Sequence, residues 1–305
     1  MSDFTDFEIY SMCLGKFEII EELGKGSIGI VLLAEYKPTG KLYALKIIPE
    51  YRAEVPIRGI SIAANMNHPN LLKCHGYFMC IYNDESCYVC IMEFVQGQDL
   101  FELFLSDDAP RPFHTLPDII RQIAEGLNYI HERGYVHRDI KVENILVSIH
   151  GCVKIIDWDF LSRACITEDI NGTPCYISPE IIHFSLIKGS NDMWALGVTL
   201  YVIFTNDYPF YSNDTSGESD LDSEDLRVLF YEITDEHIDF KRVPNKYQSL
   251  VRGLLRKDYR IRLTASQVIS TINSWYANHQ SVRSIRSKKS KSQKNVQKYD
   301  KCKIG

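Results

Sequence analysis

The chain has 305 residues, 45% hydrophobic and 24% charged, which excludes a disordered or fibrous protein and leaves room for one large domain or two lobes. Its longest apolar run, "MWALGVTLYVIF" (193–204), is too short to span a bilayer and reads as a buried helix. The net charge of −6 is uneven: residues 283–303 hold nine Lys/Arg against one acid, and the rest holds 25 basic and 39 acidic residues, a net of −14.

In chain order, an acidic opening, "MSDFTDFEIY", shows no basic n-region, so no signal peptide is expected. Three strands follow over 17–48: "KFEIIEEL" and "IVLLAEY" flank a glycine-rich turn, and "KLYALKII" follows "KPTG". "PIRGISIAAN" is a poor helix former because of Pro56 and Gly59, and predicts a short or distorted helix. After "HPN" (68–70) come two strand-like stretches, "LLKCHGYF" and "CYVCIMEF". The pattern then turns helical at "DLFELFL" and "LPDIIRQIAEGLNYIHERG". Two short strands, "ILVS" and "VKIID", surround "IHGC", and mostly helix continues to about Trp275. Strands first and helices after define an α+β protein with a small β-rich lobe and a larger helical one. The tail "SVRSIRSKKSKSQKNVQK" has no apolar periodicity and reads as disordered in isolation. Nine irregularly spaced cysteines do not form a disulfide framework, which points to a reducing, intracellular setting, cytoplasmic or nuclear.

Three stretches carry chemistry. "GKGSIGIV" (24–31) spaces Gly24, Gly26 and Gly29 as GxGxxG. A strand follows it rather than a helix, so it reads as a flap over a nucleotide and not as a dinucleotide fingerprint. Lys46 lies 17 residues beyond Gly29, on the next strand. "HRDIKVEN" (137–144) places Asp139, Lys141 and Asn144 within six residues. A general base, a phosphate-neutralising cation and a neutral metal ligand are what phosphoryl transfer to a hydroxyl requires. Thirteen residues after Asn144, "VKIIDWDF" delivers Asp157 at a strand end, a hard oxygen ligand suited to Mg²⁺.

The ordered set "GKGSIGIV", "YALK", "HPN", "IMEF", "HRDIKVEN", "DWD", "GTPCYISPE", "DMWALGV" and "RIRLT" resembles the eukaryotic protein kinase family over about residues 17–275. The resemblance implies a bilobal fold with ATP between an N-lobe of about 17–93 and a C-lobe of about 96–275. Residues 1–16 would be an N-terminal extension and 276–305 a basic tail. It implies an ATP site formed by Leu23, Gly24, Lys25, Gly26, Gly29, Val31, Ala44 and Lys46, with Met92 as gatekeeper, Glu93 and Val95 at the hinge and Asp99 near the ribose. Lys46 would pair with the α/β-phosphates, Asp139 would accept the hydroxyl proton, and Asn144 and Asp157 would hold Mg²⁺, or Mn²⁺ in its place. Asp192 would anchor the catalytic-loop backbone and Glu180 would pair with Arg262. Lys141 and Thr173 mark the Ser/Thr branch. His137 would be structural, not an acid or base.

Two departures bear on activity. The family places a glutamate nine residues before the histidine of "HPN", where it pairs with the strand lysine; here that position is Gly59. Glu54 lies five residues away, roughly 140° around an ideal helix, so either an irregular helix lets it reach Lys46 or the pair is absent. "DWD" stands where the family has "DFG", and Asp159 reads either as a residue that makes this segment harder to flip or as a tolerated polar turn residue. In "CITEDINGTP" (165–174), Asp169 stands about where many family members carry a phosphosite. It could pair with Arg138 and order the loop without phosphorylation, or belong to a solvated acidic loop with Thr167 as a phosphosite.

Asp99, Glu143 and Glu232 match positions at which basic-directed members of the family keep acids, which implies protein substrates with Arg or Lys N-terminal to the target hydroxyl. The run "NDTSGESDLDSED" (213–225) extends that preference or is a solvated insertion. The tail, with "RSIRSKKSKS", offers autophosphorylation, contact with anionic partners, or plain solvation, and no specific nucleic acid is expected. "CYVC" (87–90) spaces two cysteines that a strand would point to opposite faces, so they read as buried strand residues rather than zinc ligands. Against a phosphate-transferring enzyme stands a pseudokinase, a nucleotide-binding scaffold, for which Gly59 and Asp159 are the grounds.

Overall fold

The computed structural model describes residues 4, 12–26, 28–166, 172–210 and 223–277. Alternating β-branched and aromatic residues build the first layer, a five-stranded antiparallel sheet in the order β1-β2-β3-β5-β4. Its strands are β1 (Phe17–Lys25), β2 (Ile30–Tyr36), β3 (Lys41–Pro49), β4 (Cys74–Tyr82) and β5 (Glu85–Glu93).

Strand pleating sorts side chains onto two faces. Tyr43, Leu45 and Ile47 of β3 join Cys87, Val89 and Ile91 of β5 in an outer apolar cluster. Ala44 and Ile48 join Cys90 and Met92 in the inner core. Cys87 and Cys90 therefore do face opposite ways, and Lys46 lies between Ala44 and Ile48 on the inner, cleft-facing side. The outer cluster is closed by Phe4, 6% exposed, whose ring meets Tyr36, Tyr43 and His75 at centroid distances of 5.2, 5.3 and 5.7 Å.

The stretch with Pro56 and Gly59 forms α1 (Glu54–Ala63), a short helix as expected, but regular rather than distorted. Pro56 falls in the first turn, where its missing N–H is not needed. Gly59 is held by packing: a Cβ there would lie 1.9 Å from the Trp158 carbonyl oxygen and 3.3 Å from the Leu161 nitrogen.

Beyond the hinge come β6 (Gly97–Asp99) and α2 (Leu100–Phe104), then α3 (Leu116–Glu132). In α3, Leu116, Ile119, Ile120, Ile123, Leu127 and Ile130 recur at helical spacing and are buried. The two-residue strand β7 (Tyr135–Val136) leads into the loop at 137–144; β8 (Ile145–Ser148) and β9 (Val153–Ile155) complete a three-stranded sheet with β6. The buried Asn70 of "HPN" donates to Gln122 Oε1 of α3 and to the Val153 carbonyl, both at 3.0 Å, and its carbonyl accepts from the Ile155 N–H at 2.9 Å. This tripeptide thus ties the small lobe to β9, the strand that ends two residues before Asp157.

The C-lobe continues through α4 (Pro179–Phe184), α5 (Gly189–Thr205), α6 (Ser223–Asp235), α7 (Asn245–Leu254) and a helix over 265–277. The run at 193–204 is buried inside α5. Among the described residues no helix is long and apolar enough to cross a membrane.

Candidate active site

The site lies between the inner face of the five-stranded sheet and the loops after β7 and β9. The glycine flap crosses from β1 to β2: Gly26 N–H donates to the Gly29 carbonyl at 2.9 Å. Gly29 presses on β3, where a Cβ would come within 2.1 Å of the Ile47 carbonyl oxygen. A Cβ at Gly24 would meet nothing within 4 Å, so the start of the flap stands clear of protein, as a phosphate-covering loop must. Leu23 and Lys25 belong to β1 and are exposed, and Val31, the second residue of β2, is half-buried. Ala44 faces Met92 across the β3–β5 ladder, both 7% exposed, making an apolar slot beside the hinge.

Glu93 uses its carboxylate structurally: Oε1 accepts from the Lys73 N–H and from Lys154 Nζ, both at 2.6 Å, which pins the hinge to β9. Val95 is half-buried just beyond Glu93. Asp99 caps α2, accepting from the Glu102 N–H at 2.8 Å, and burial pushes its carboxyl pKa up.

The loop at 137–144 is anchored from below. Asp192 of α5, 1% exposed, accepts from the backbone N–H groups of His137 and Arg138, both at 2.9 Å, and faces His131 Nε2 at 2.7 Å. Burial would raise the Asp192 pKa, but the hydrogen bond and charge of His131 outweigh it and hold the pKa below the usual value. The anchoring matters because Arg138 has φ +74°, a left-handed conformation that non-glycine residues adopt only when their surroundings impose it. His137 is fully buried; its ring meets the Ile156 carbonyl at 3.0 Å and lies 5.4 Å from the Trp158 ring.

Above the anchor the functional side chains converge. Asp139 Oδ1 accepts from Thr173 Oγ1 at 2.9 Å, and Oδ2 from Asn144 Nδ2 at 2.8 Å. Lys141 Nζ donates to Thr173 Oγ1 at 2.8 Å and stands 3.7 Å from Asp139 Oδ2. With the Asn144 amide nitrogen committed to Asp139, its oxygen is the atom left to ligate a cation. Asp157 leaves β9 at φ +65°, its side chain 30% exposed, and its Oδ1 accepts from Lys46 Nζ at 2.8 Å.

The partner of Lys46 that the sequence left undecided is Asp159. Its Oδ2 lies 2.6 Å from Lys46 Nζ and its side chain is 4% exposed. Glu54 does not reach Lys46: its carboxylate is 82% exposed and pairs with Arg58 one turn along α1 at 2.7 Å. Burial opposes the Lys46 charge, yet Asp157 and Asp159 together raise its pKa above the ordinary lysine value. Burial would also raise the Asp157 pKa, but Lys46 holds it down. Asp159 is pushed up to about 7 by burial and by the neighbouring Asp157 charge.

Farther out, Arg262 Nη1 and Nη2 donate to the Glu180 carboxylate at 2.5 and 2.8 Å, both side chains essentially fully buried. Glu143 is exposed on the turn after Lys141, against which α2 packs. Glu232 is half-buried on α6, which packs on α4. Asp169 and Thr167, most of the acidic run at 213–225 and nearly all of the basic tail lie outside the described residues.

The donor set fits a nucleotide with a hard divalent cation. Among the described residues no group of three His, Cys, Asp or Glu could hold a metal ion, so one carboxylate and one amide oxygen would share the ion with nucleotide phosphates. Asp159 Oδ1 is moreover buried with no hydrogen-bond partner.

Residues 17–273 match the protein kinase domain family model. The chain is 34% identical over 269 residues to smooth muscle myosin light chain kinase of Gallus gallus, covering 83% of this chain and 13% of that protein. It is 31% identical over 274 residues to the RAC serine/threonine-protein kinase of Drosophila melanogaster (84% and 41%), and 29% identical over 269 residues to death-associated protein kinase 2 of Mus musculus (83% and 70%). The fold, the site and these matches make the chain a member of the protein kinase family. It spans well under half the length of the first two relatives.

Proposed function

We propose that the chain is an active protein serine/threonine kinase that uses ATP with Mg²⁺, Mn²⁺ being able to replace it, and that residues 17–275 form its kinase domain. The observation that carries this reading is the joined cluster of Asp139, Lys141, Asn144 and Thr173, with Lys46 and Asp157 facing each other across the cleft. Asp139 accepts the proton of the substrate hydroxyl, and Lys141 neutralises charge on the transferring phosphoryl group. Thr173 holds both side chains in register. Lys46 orients the nucleotide phosphates, while Asn144 and Asp157 hold the cation. Mg²⁺ held there by Asn144 and Asp157 would offset the charge of the phosphates. Catalysis rests on positioning and electrostatics rather than on a covalent intermediate.

Asp99, Glu143 and Glu232 favour substrates with Arg or Lys before the target residue. The absence of a disulfide framework in the sequence supports an intracellular setting. The test is transfer of labelled phosphate from ATP to matched peptides that differ only in Ser, Thr or Tyr at the acceptor and in basic or neutral residues before it. Transfer to Ser and Thr, strongest with basic residues, is expected. ATP binding with no transfer to any peptide would replace this reading with the pseudokinase.

A further inference from the structure

A lysine as buried as Lys46, its side chain 12% exposed, needs a counter-charge, and a protein kinase needs that lysine aimed at the nucleotide. In the family the aim comes from a helix glutamate. Here α1 has one acid, Glu54, and it points to solvent. At the position of the family glutamate the helix has Gly59, against whose backbone the Trp158 carbonyl is pressed so closely that a Cβ would lie 1.9 Å from its oxygen. That approach brings the segment of Asp157 and Asp159 up under β3, where Asp159 meets Lys46 at 2.6 Å.

We propose that Asp159 is the positioning residue of Lys46, and that Gly59 and Asp159 are two halves of one exchange: the acid has left the helix, and the bare helix admits the segment that now supplies it. The inference rests on the kinase reading for its consequence, but not for the contact itself. Family members need two separate things in place, the helix-to-lysine ion pair and the metal-binding aspartate. In this chain both acids lie in one three-residue stretch. Asp157 is then committed to the cation while Asp159 keeps hold of Lys46, and the conformation of residues 157–159 sets both at once. A swing of α1, which would break the ion pair in a protein with the helix glutamate, has no acid to carry away here.

The test is a double-mutant cycle on the full chain with Asp159→Asn, Lys46→Met and the double variant, and Glu54→Gln as a control. The readouts are ATP affinity by titration calorimetry, with and without Mg²⁺, and kcat and KM for ATP and for peptide. Asp159→Asn is expected to lose roughly 10- to 100-fold in kcat/KM for ATP, the range typical of residues that orient a site group, with peptide KM unchanged. It should weaken ATP binding in the Lys46 protein and leave it unaltered in the Lys46→Met background, while Glu54→Gln matches wild type. Equal weakening in both backgrounds, or none in either, overturns the proposal. If wild type transfers no phosphate but the coupling in ATP affinity persists, the kinase reading fails and the positioning role stands. A crystal structure of the wild-type chain with a non-hydrolysable ATP analogue needs no variant to fold. Lys46 Nζ hydrogen-bonded to Asp159 is expected there, and Lys46 out of reach of Asp159 overturns the proposal.

Discussion

Replacing Gly59 with alanine sets two effects of opposite sign against each other. In an exposed helix interior the change stabilises by about 1 kcal/mol, because glycine is the more flexible residue when unfolded. In α1 the new Cβ would stand 1.9 Å from the Trp158 carbonyl oxygen and 3.1 Å from its carbon. Ordinary carbon–oxygen contacts start near ~3.3 Å, so two backbones must separate by more than an ångström. No flexible side chain is available to yield instead. Overpacking of this kind costs about 1–3 kcal/mol, which leaves a net loss of up to about 2 kcal/mol after the helix gain, the upper end applying because backbone has to yield. For a domain of this size that lowers the unfolding midpoint by up to roughly 8 °C. The same displacement draws Asp159 away from Lys46, so ATP affinity should fall alongside stability. Thermal unfolding with and without ATP reads both. A midpoint that rises, as helix propensity alone would give, refutes the close packing of α1 on the 158–161 segment.

Three further outcomes follow from other parts of the molecule. Arg262→Ala strands the Glu180 carboxylate in the C-lobe core, where Ser190 and Asn191 are its other donors, and should cost about 3–5 kcal/mol in urea unfolding. Thr173→Val removes the hydroxyl that joins Lys141 to Asp139; a charge-assisted hydrogen bond of about 1.5–3 kcal/mol implies a kcat at least roughly tenfold lower, with KM for ATP unchanged and activity kept by Thr173→Ser. Phe4→Ala opens the aromatic cluster on the outer sheet face and should lower stability by about 3 kcal/mol in chemical denaturation, leaving peptide KM as it was.

Much of this was legible before any coordinates. The strands over 17–48 are set by local alternation and turn residues, and α3 by its apolar spacing, so their places needed no tertiary knowledge. The cluster at 137–144 is compact in sequence, and its geometry follows from one short loop. The partner of Lys46 was not legible, because Asp159 lies 113 residues away and meets it only through packing of α1 on the intervening segment. The two signals for it, a glycine where an acid was due and an acid where a glycine was due, were both visible but looked like separate defects. In helix α1 tertiary packing overrides propensity: Pro56 sits harmlessly in the first turn and Gly59 is required by its neighbour. Phe4, one of three aromatics in an acidic stretch, had no period to betray its burial.

On the proposed reading, Asp139 and its neighbours transfer phosphate although α1 offers Lys46 no acid. The direct measurement is the initial rate of phosphate transfer from γ-labelled ATP with Mg²⁺ to a basic serine peptide, for wild type beside Asp139→Ala. Turnover by wild type, reduced to background in the variant while ATP still binds both, is the predicted result. Wild type that binds ATP and transfers no more than Asp139→Ala would contradict the account and leave a nucleotide-binding scaffold.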